Sequence, residues 1–224
     1  PHVLSRRQRQ MCIRDSNYYR YSSMKVVVTA GSGFLGTNLI EKLIRDGFEV
    51  LNIDIKPPKN KSLLGNWIDG DICDFNDISA ILRRCKPEII VHMAARTDLD
   101  GRTLDDYDAN IDGVNNIISY CNEDKNIQRV IFLSSMLVCQ LGYQPESDFD
   151  YCPATLYGES KVIGEKLVRD KIRMDLEWSI LRPTSLWGPW FDVPYRTFFD
   201  TVRSGLFMIP FDLKVYRSYG FVLN

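Results

Sequence analysis

"TAGSGFLGTNL", residues 29–39, places three glycines within six positions and then runs into an apolar helical pattern. Glycine brings no side chain to a core and loses the most conformational freedom on folding, so packing alone does not call for this run. A close approach of backbone to another body does. The stretch follows "KVVVT", a β-branched run that reads as a buried strand, and opens "FLGTNLIEKLIRD", whose apolar positions recur at helical spacing. A GxGxxG pattern (Gly31, Gly33, Gly36) between a strand and a helix lets backbone N–H groups face a pyrophosphate at the helix N-terminus, where the helix dipole favours negative charge. The loop residues Phe34 and Leu35 fall inside that turn. Asp54 ends the next strand, "FEVLNIDI", where a carboxylate can accept hydrogen bonds from an adenosine ribose and repel a 2′-phosphate. This favours NAD, while Lys56 and Lys59 keep NADP open.

Working outward, the rhythm continues. "FNDISAILRRC" reads as a helix stopped by Pro87, "EIIVHMAA" as a strand, and "YDANIDGVNNIISYC" as a helix. Then come the strand "RVIFLSS", the long helix "LYGESKVIGEKLVRDKI" and the strand "EWSILRP". Strands alternating with helices predict an α/β fold, a doubly wound parallel sheet with right-handed crossovers, over residues 24–187. After "LRPTSLWGP" the alternation breaks. Residues 188–224 hold Pro189, Pro194 and Pro210, one helix near 195–204 and a strand-like end, and read as the start of a second, substrate-binding subdomain.

The chain has 224 residues, of which 45% are hydrophobic and 25% charged, enough to bury a core. The net charge of −1 gives no nucleic-acid surface, and no apolar run reaches the roughly 18 residues of a membrane span. The cysteines at 12, 73, 85, 121, 139 and 152 form no CxxC pair, and the histidines are only two, so no zinc-site spacing exists. We expect no metal, and read the scattered thiols as small buried residues in a reducing, cytoplasmic compartment. Residues 1–23 carry five Arg and one Asp, leaving −5 on residues 24–224. Their composition suits a transit peptide, but "MCIRDS" and its flanks resemble a translated cloning adapter. We therefore expect a non-native, disordered leader before Met24.

Two further groups carry chemistry. Tyr157 and Lys161 stand four residues apart on one helix face. A free phenol has a pKa of about 10, and lowering it by ~3 units requires ~4 kcal/mol of differential stabilisation, part of which an ammonium neighbour supplies. Taken alone the pair is an ordinary helix-surface pattern. Ser134 and Ser135 end a strand, where ligands of open parallel sheets bind, and spacing does not separate them. Neither sits in a GxSxG elbow, so a Ser-His-Asp hydrolase has no support. His92, at the end of the third strand, reads as structural.

Together "VTAGSGFLG", Asp54, "GDICD", "VHMAA", "NIDGVNNII", "IFLSSMLV", "YGESK" and "LRPTSLWGP" resemble the extended short-chain dehydrogenase/reductases, the branch of NAD-dependent nucleotide-sugar epimerases and dehydratases. The resemblance spans residues 24–224 and implies NAD as cofactor. It assigns Gly33 and Gly36 to the phosphate loop, Asp71 and Ile72 to the adenine, and Met93, Ala94 and Ala95 to the nicotinamide-ribose side. Asn110 becomes the asparagine that supports the site. Ser135, three residues before Val138, becomes the catalytic serine, ahead of Ser134. Tyr157 and Lys161 become the proton-transfer pair, and Arg217 a substrate contact. It also implies a homodimer through the helices near 108–123 and 157–174; the stripe Val162, Leu167 and Ile172 fits either that interface or the chain's own sheet.

There are departures. The family glycine pattern begins where this chain has Ala30. Its "VYG" is Val138-Cys139-Gln140 here, at a position near the substrate. The end at "RSYGFVLN" implies a truncated reading frame that lacks most of the substrate subdomain. Met136 and Leu137 replace the acidic pair of the dehydratases, which favours epimerase or simple dehydrogenase chemistry, with a sugar hydroxyl, usually at C4, transiently oxidised. The alternatives are a carbonyl reductase or hydroxysteroid-type dehydrogenase, and a non-catalytic dinucleotide-binding fragment.

Overall fold

A computed structural model describes residues 24–191, 195–208 and 218–224. The leader and Arg217 lie outside the described residues. In chain order the elements are β1 (Lys25–Thr29), α1 (Phe34–Arg45), β2 (Glu49–Ile53), a 3-10 turn (Lys61–Asn66), β3 (Trp67–Ile68), α2 (Phe75–Cys85) and β4 (Ile89–His92). A 3-10 turn (Leu104–Tyr107), α3 (Asp108–Glu123), β5 (Arg129–Leu133), a 3-10 turn (Met136–Val138), α4 (Leu156–Lys171) and β6 (Glu177–Leu181) follow. The chain then forms β7 (Ser185–Trp187), α5 (Tyr195–Arg203) and β8 (Tyr219–Phe221).

The six-stranded sheet has the order β3-β2-β1-β4-β5-β6, and every pairing is parallel. Alternate residues of β1 serve opposite faces. Val26 and Val28 pack with Ile40 of α1 and Val50, whereas Val27 joins Ile53, Ile90 and Val130 beneath α2, α3 and α4. Both faces of the strands are therefore covered, which is why they read as unbroken apolar runs. This is the doubly wound arrangement the alternation predicts, Rossmann-like in strand order. The order reverses between β1 and β4, where Thr29 and His92 lie in register, and an open α/β sheet binds its ligand at such a point.

Several local expectations are met by identifiable interactions. Gly47 closes α1 at φ +88°. Its N–H donates to Ile44 O at 3.0 Å and that of Phe48 to Leu43 O at 3.0 Å, the paired bonds of a left-handed helix cap. Asp74 caps α2 by accepting from Asn76 and Asp77. β3 was not expected, since two residues are too few for any periodicity; Trp67 is fixed instead by donating from Nε1 to Asp54 O at 2.9 Å. The stripe Val162, Leu167 and Ile172 packs within the chain's own core. β7 and β8 form a separate parallel pair, with Trp187 and Phe221 rings 4.8 Å apart.

Replacing Gly47 with Ala is expected to cost about 1 kcal/mol, because any Cβ is strained at that φ. Urea unfolding checks it by a lower midpoint at unchanged slope.

Candidate functional site

The sequence-predicted residues converge on one edge of the sheet. Asp54 follows β2, Met93–Ala95 follow β4 and Ser135 follows β5, so all leave the carboxyl ends of strands. The glycine turn joins β1 to α1 at the same edge. Its tightness has measurable causes. A Cβ on Gly36 would stand 2.6 Å from Ala30 O and overlap Gly31 Cα, and a Cβ on Gly33 would stand 3.3 Å from Ala30 O. Helix α1 can lie this close to the turn only with bare backbone at residue 36. Ala30 itself takes φ +54°, so the first position of the turn keeps the left-handed geometry that glycine adopts freely, at a cost of roughly 1–2 kcal/mol for an L-residue.

At the start of α1, Gly33 offers no side-chain cap and the first turn holds no acidic residue. The leading N–H groups, including those of Phe34, Leu35 and Gly36, face outward from a helix end that favours an anion. Asp54 anchors the loop: Oδ2 accepts from Ser32 N and Oδ1 from Lys56 N, both at 3.0 Å. Asn52 adds a buried bond from Nδ2 to Ser32 Oγ at 2.9 Å. The edge around Phe34 is closed by Phe191, ring against ring at 4.7 Å. Asp71 accepts from Cys73 N at 2.9 Å, and Ile72 is buried where Gly113 leaves room for it on α3.

Between β1 and β4, Thr29 Oγ1 accepts the N–H of Met93 at 3.0 Å and of Ala94 at 3.1 Å. Its own proton then goes to His92 Nδ1, 3.0 Å away, leaving His92 neutral. Burial, with Lys161 nearby, pushes the His92 pKa down to about 3. The imidazole thus shapes the loop and carries no charge.

The catalytic candidates meet at the end of β5. Tyr157, on the first turn of α4, lies close enough to Ser135 for that side chain to favour its phenolate. Lys161, one turn on, donates from Nζ to Leu133 O at 3.1 Å. The two side chains therefore reach alternate residues of one strand end, on one face of the helix. Burial holds the Tyr157 phenol above its ordinary value, against the Ser135 side chain, which lowers it. Burial also brings Lys161 down to about 8, opposed by Glu165. Asn110 is fully buried, with Oδ1 accepting from Arg96 N at 2.8 Å and Nδ2 donating to Ser160 Oγ at 2.8 Å. Ser160 in turn donates to Tyr157 O at 2.7 Å. Asn110 thus ties α3 and the loop after β4 to the helix that carries Tyr157.

The two serines are separated by geometry. Ser135 Oγ accepts from Leu137 N at 3.1 Å and faces Tyr157. Ser134 donates to Glu165 Oε1 at 2.5 Å. Glu165, 2% exposed, also accepts from Arg182 at 2.8 and 2.7 Å and from Tyr151 at 3.0 Å. Burial raises its carboxyl, but the Arg182 and Ser134 hydrogen bonds outweigh that and hold it below the ordinary range. Sequence reasoning missed Glu165 and Arg182. The available signal was a carboxylate four residues beyond Lys161 in "YGESKVIGE". It also missed Gly158, where a Cβ would collide with Leu137 O; its absence lets α4 press Tyr157 onto Ser135.

Gly36→Ala is expected to weaken NADH binding at least about tenfold, read by fluorescence titration, since the helix must retreat from the turn. Glu165→Gln is expected to cost about 1–3 kcal/mol, since the half-buried Arg182 loses its charged partner. The Glu165 contribution is present above the unfolded carboxylate pKa of about 4.3 and is lost as pH falls through the lower folded value. Acid unfolding of the variant should therefore lack that part of the wild-type pH dependence.

This chain resembles known proteins in sequence and in fold. The chain is 28% identical over 197 residues to a 3-beta-hydroxysteroid dehydrogenase of Mycolicibacterium neoaurum, covering 81% of this chain and 52% of that protein. It is 27% identical over 182 residues to a UDP-glucose 4-epimerase of Mycolicibacterium smegmatis, covering 74% and 57%. Among solved structures, WbmG of Bordetella bronchiseptica in complex with NAD superposes with a TM-score of 0.72 at 25% identity, over 90% of this chain and 66% of that one. The chain thus spans about half the length of the curated relatives it matches. The family model for the NAD dependent epimerase/dehydratase family matches residues 26–206. With a parallel sheet, a bare glycine turn and Ser135, Tyr157 and Lys161 at one strand end, the chain belongs to the NAD-dependent epimerase/dehydratase family.

Proposed function

We propose that this chain binds NAD and supplies the proton-transfer half of an epimerase-type oxidoreductase acting on a nucleotide sugar. The observation that carries the reading is that Tyr157 faces Ser135 and Lys161 reaches Leu133 O at the end of β5, on the sheet edge that also holds the glycine turn. Bound NAD supplies the acceptor for a hydride from the sugar carbon. Ser135 holds the reacting oxygen, and Tyr157 takes the hydroxyl proton as the carbon becomes a ketone. The Gly33 N–H is taken by Ala30 O, so Phe34, Leu35 and Gly36 offer the backbone donors to the diphosphate, and Asp54 an acceptor to the ribose.

Lys161 has a division of labour. One N–H is held by Leu133 O, leaving others for a ribose hydroxyl. Burial alone disfavours the phenolate of Tyr157. Proton loss would therefore require positive charge brought beside the phenol, which a bound oxidised nicotinamide would supply. Bound NAD would also supply the hydride whose return to the other face of the sugar gives the epimer. Met136 and Leu137 beside Ser135 offer no acid or base for eliminating water, which favours epimerisation or simple oxidation over dehydration.

A second reading, a hydroxysteroid-type dehydrogenase, is favoured by the similarity to the Mycolicibacterium neoaurum protein. The two differ in substrate and share the proton path. A cytoplasmic location and a homodimer paired through α3 and α4 complete the proposal. Among described residues no helix is long and apolar enough to cross a membrane.

The test incubates the full-length protein with NAD⁺ and either UDP-glucose or a 3β-hydroxysteroid. Turnover of the sugar nucleotide, reduced at least about a hundredfold in Tyr157→Phe, supports the reading, since general base work contributes ~10²–10⁴-fold. Turnover of the steroid alone moves the chain to the second reading. NAD binding without turnover of either, unchanged by Tyr157→Phe, refutes both.

A further inference from the structure

The cysteine pattern contains a pair that spacing conceals. Cys139 and Cys152 are thirteen positions apart in sequence yet face each other across an isolated parallel β-bridge. The bridge is closed by Gln140 N donating to Cys152 O at 2.7 Å and Cys152 N donating to Val138 O at 3.1 Å. Residues opposed in this way have Cα atoms about 4.8 Å apart, inside the ~4.4–6.8 Å that a disulfide spans. Opposed residues of a parallel bridge also direct their side chains to the same side. Tyr143 packs against the cluster that holds Cys139 and is anchored to Asp150 at 2.8 Å. Cys139 Sγ reaches Asp150 O and Cys152 Sγ reaches Gln140 Nε2, each at 3.5 Å. Both thiols are free.

We infer that Cys139 and Cys152 form a dithiol site that closes to a disulfide by exchange with a small oxidised disulfide such as glutathione disulfide. Cys139 is buried and Cys152 half-buried, which sets the order of events. The Cys152 thiolate attacks one sulfur of the oxidant, forming a mixed disulfide and releasing one glutathione thiolate. The Cys139 thiolate then attacks Cys152 Sγ and displaces the second glutathione. Two protons and two electrons leave the protein pair, and one glutathione disulfide becomes two glutathiones. The bridge would join the segment four residues beyond Ser135 to the segment five residues before Tyr157. It would therefore strap together the two chain segments that meet at the end of β5. Cys73, Cys85 and Cys121 share no such bridge, and Cys85 and Cys121 are buried.

The experiment exposes the intact chain to excess glutathione disulfide, followed by alkylation of remaining thiols and mass spectrometry. The wild type is expected to lose two hydrogens, to yield a peptide pair joining Cys139 to Cys152, and to regain both thiols with dithiothreitol. Cys152→Ser should give no cross-link and no adduct at this site. Cys139→Ser should stop at a stable glutathione adduct on Cys152, which shows the order of attack and holds even if one variant folds poorly. A persistent Cys152 adduct in the wild type, a bridge through Cys12 or Cys73, or free thiols at both positions would overturn the inference. None of these outcomes depends on catalytic turnover, so the site stands or falls apart from the proposed activity.

Discussion

A single buried carboxylate organises the chemistry of this chain. Glu165 receives Ser134 from the end of β5, Arg182 from the end of β6 and Tyr151 from the loop before α4. An ionised carboxylate in that setting is tolerable only because each oxygen is hydrogen-bonded and Arg182 returns a full opposite charge. The consequence is positional. Helix α4 is pinned to two strand ends, and on the same helix Lys161, one turn earlier, is carried onto Leu133 O while Tyr157, two turns earlier, faces Ser135. Removing the carboxylate would leave two cations that pair with it, Arg169 and Arg182, without their shared partner.

Absent side chains do the complementary work. Gly36 brings α1 against the turn after β1, and Gly158 brings the start of α4 against the turn after β5. In both places a methyl group would meet a carbonyl oxygen, which cannot rotate away as a side chain can. The two helices therefore approach the same sheet edge, one presenting N–H groups and the other a phenol and an ammonium. Ala30 shows how far the pattern bends: with its φ of +54° it keeps the turn that glycine adopts without strain.

Membership of the NAD-dependent epimerase/dehydratase family follows from the whole pattern and leaves room for local difference. Cys139 stands where the resemblance expects a tyrosine near the substrate. In the fold it faces Cys152 across a bridge, beside Tyr143. The same short segment thus carries a departure in sequence and a new pairing in space.

Much of the fold was legible because periodicity is a local property. Apolar runs of strand length, helical stripes and caps such as Gly47 and Asp74 each declare themselves within a dozen residues, and right-handed crossovers then leave few topologies. The glycine turn, Asp54 and the Tyr157–Lys161 spacing were legible for the same reason. The choice between Ser134 and Ser135 rested on resemblance alone, because adjacent residues at a strand end differ only in which neighbour they meet. The stripe Val162, Leu167 and Ile172 could face a sheet or a partner, and packing assigned it to the chain's own core. Two-residue β3 carried no period to read. The sequence by itself determined the order and type of the elements, through local backbone preference and burial patterns. Only the tertiary structure decided which distant side chains share a carboxylate, a strand end or a β-bridge, because those contacts depend on how strands register and helices close upon them.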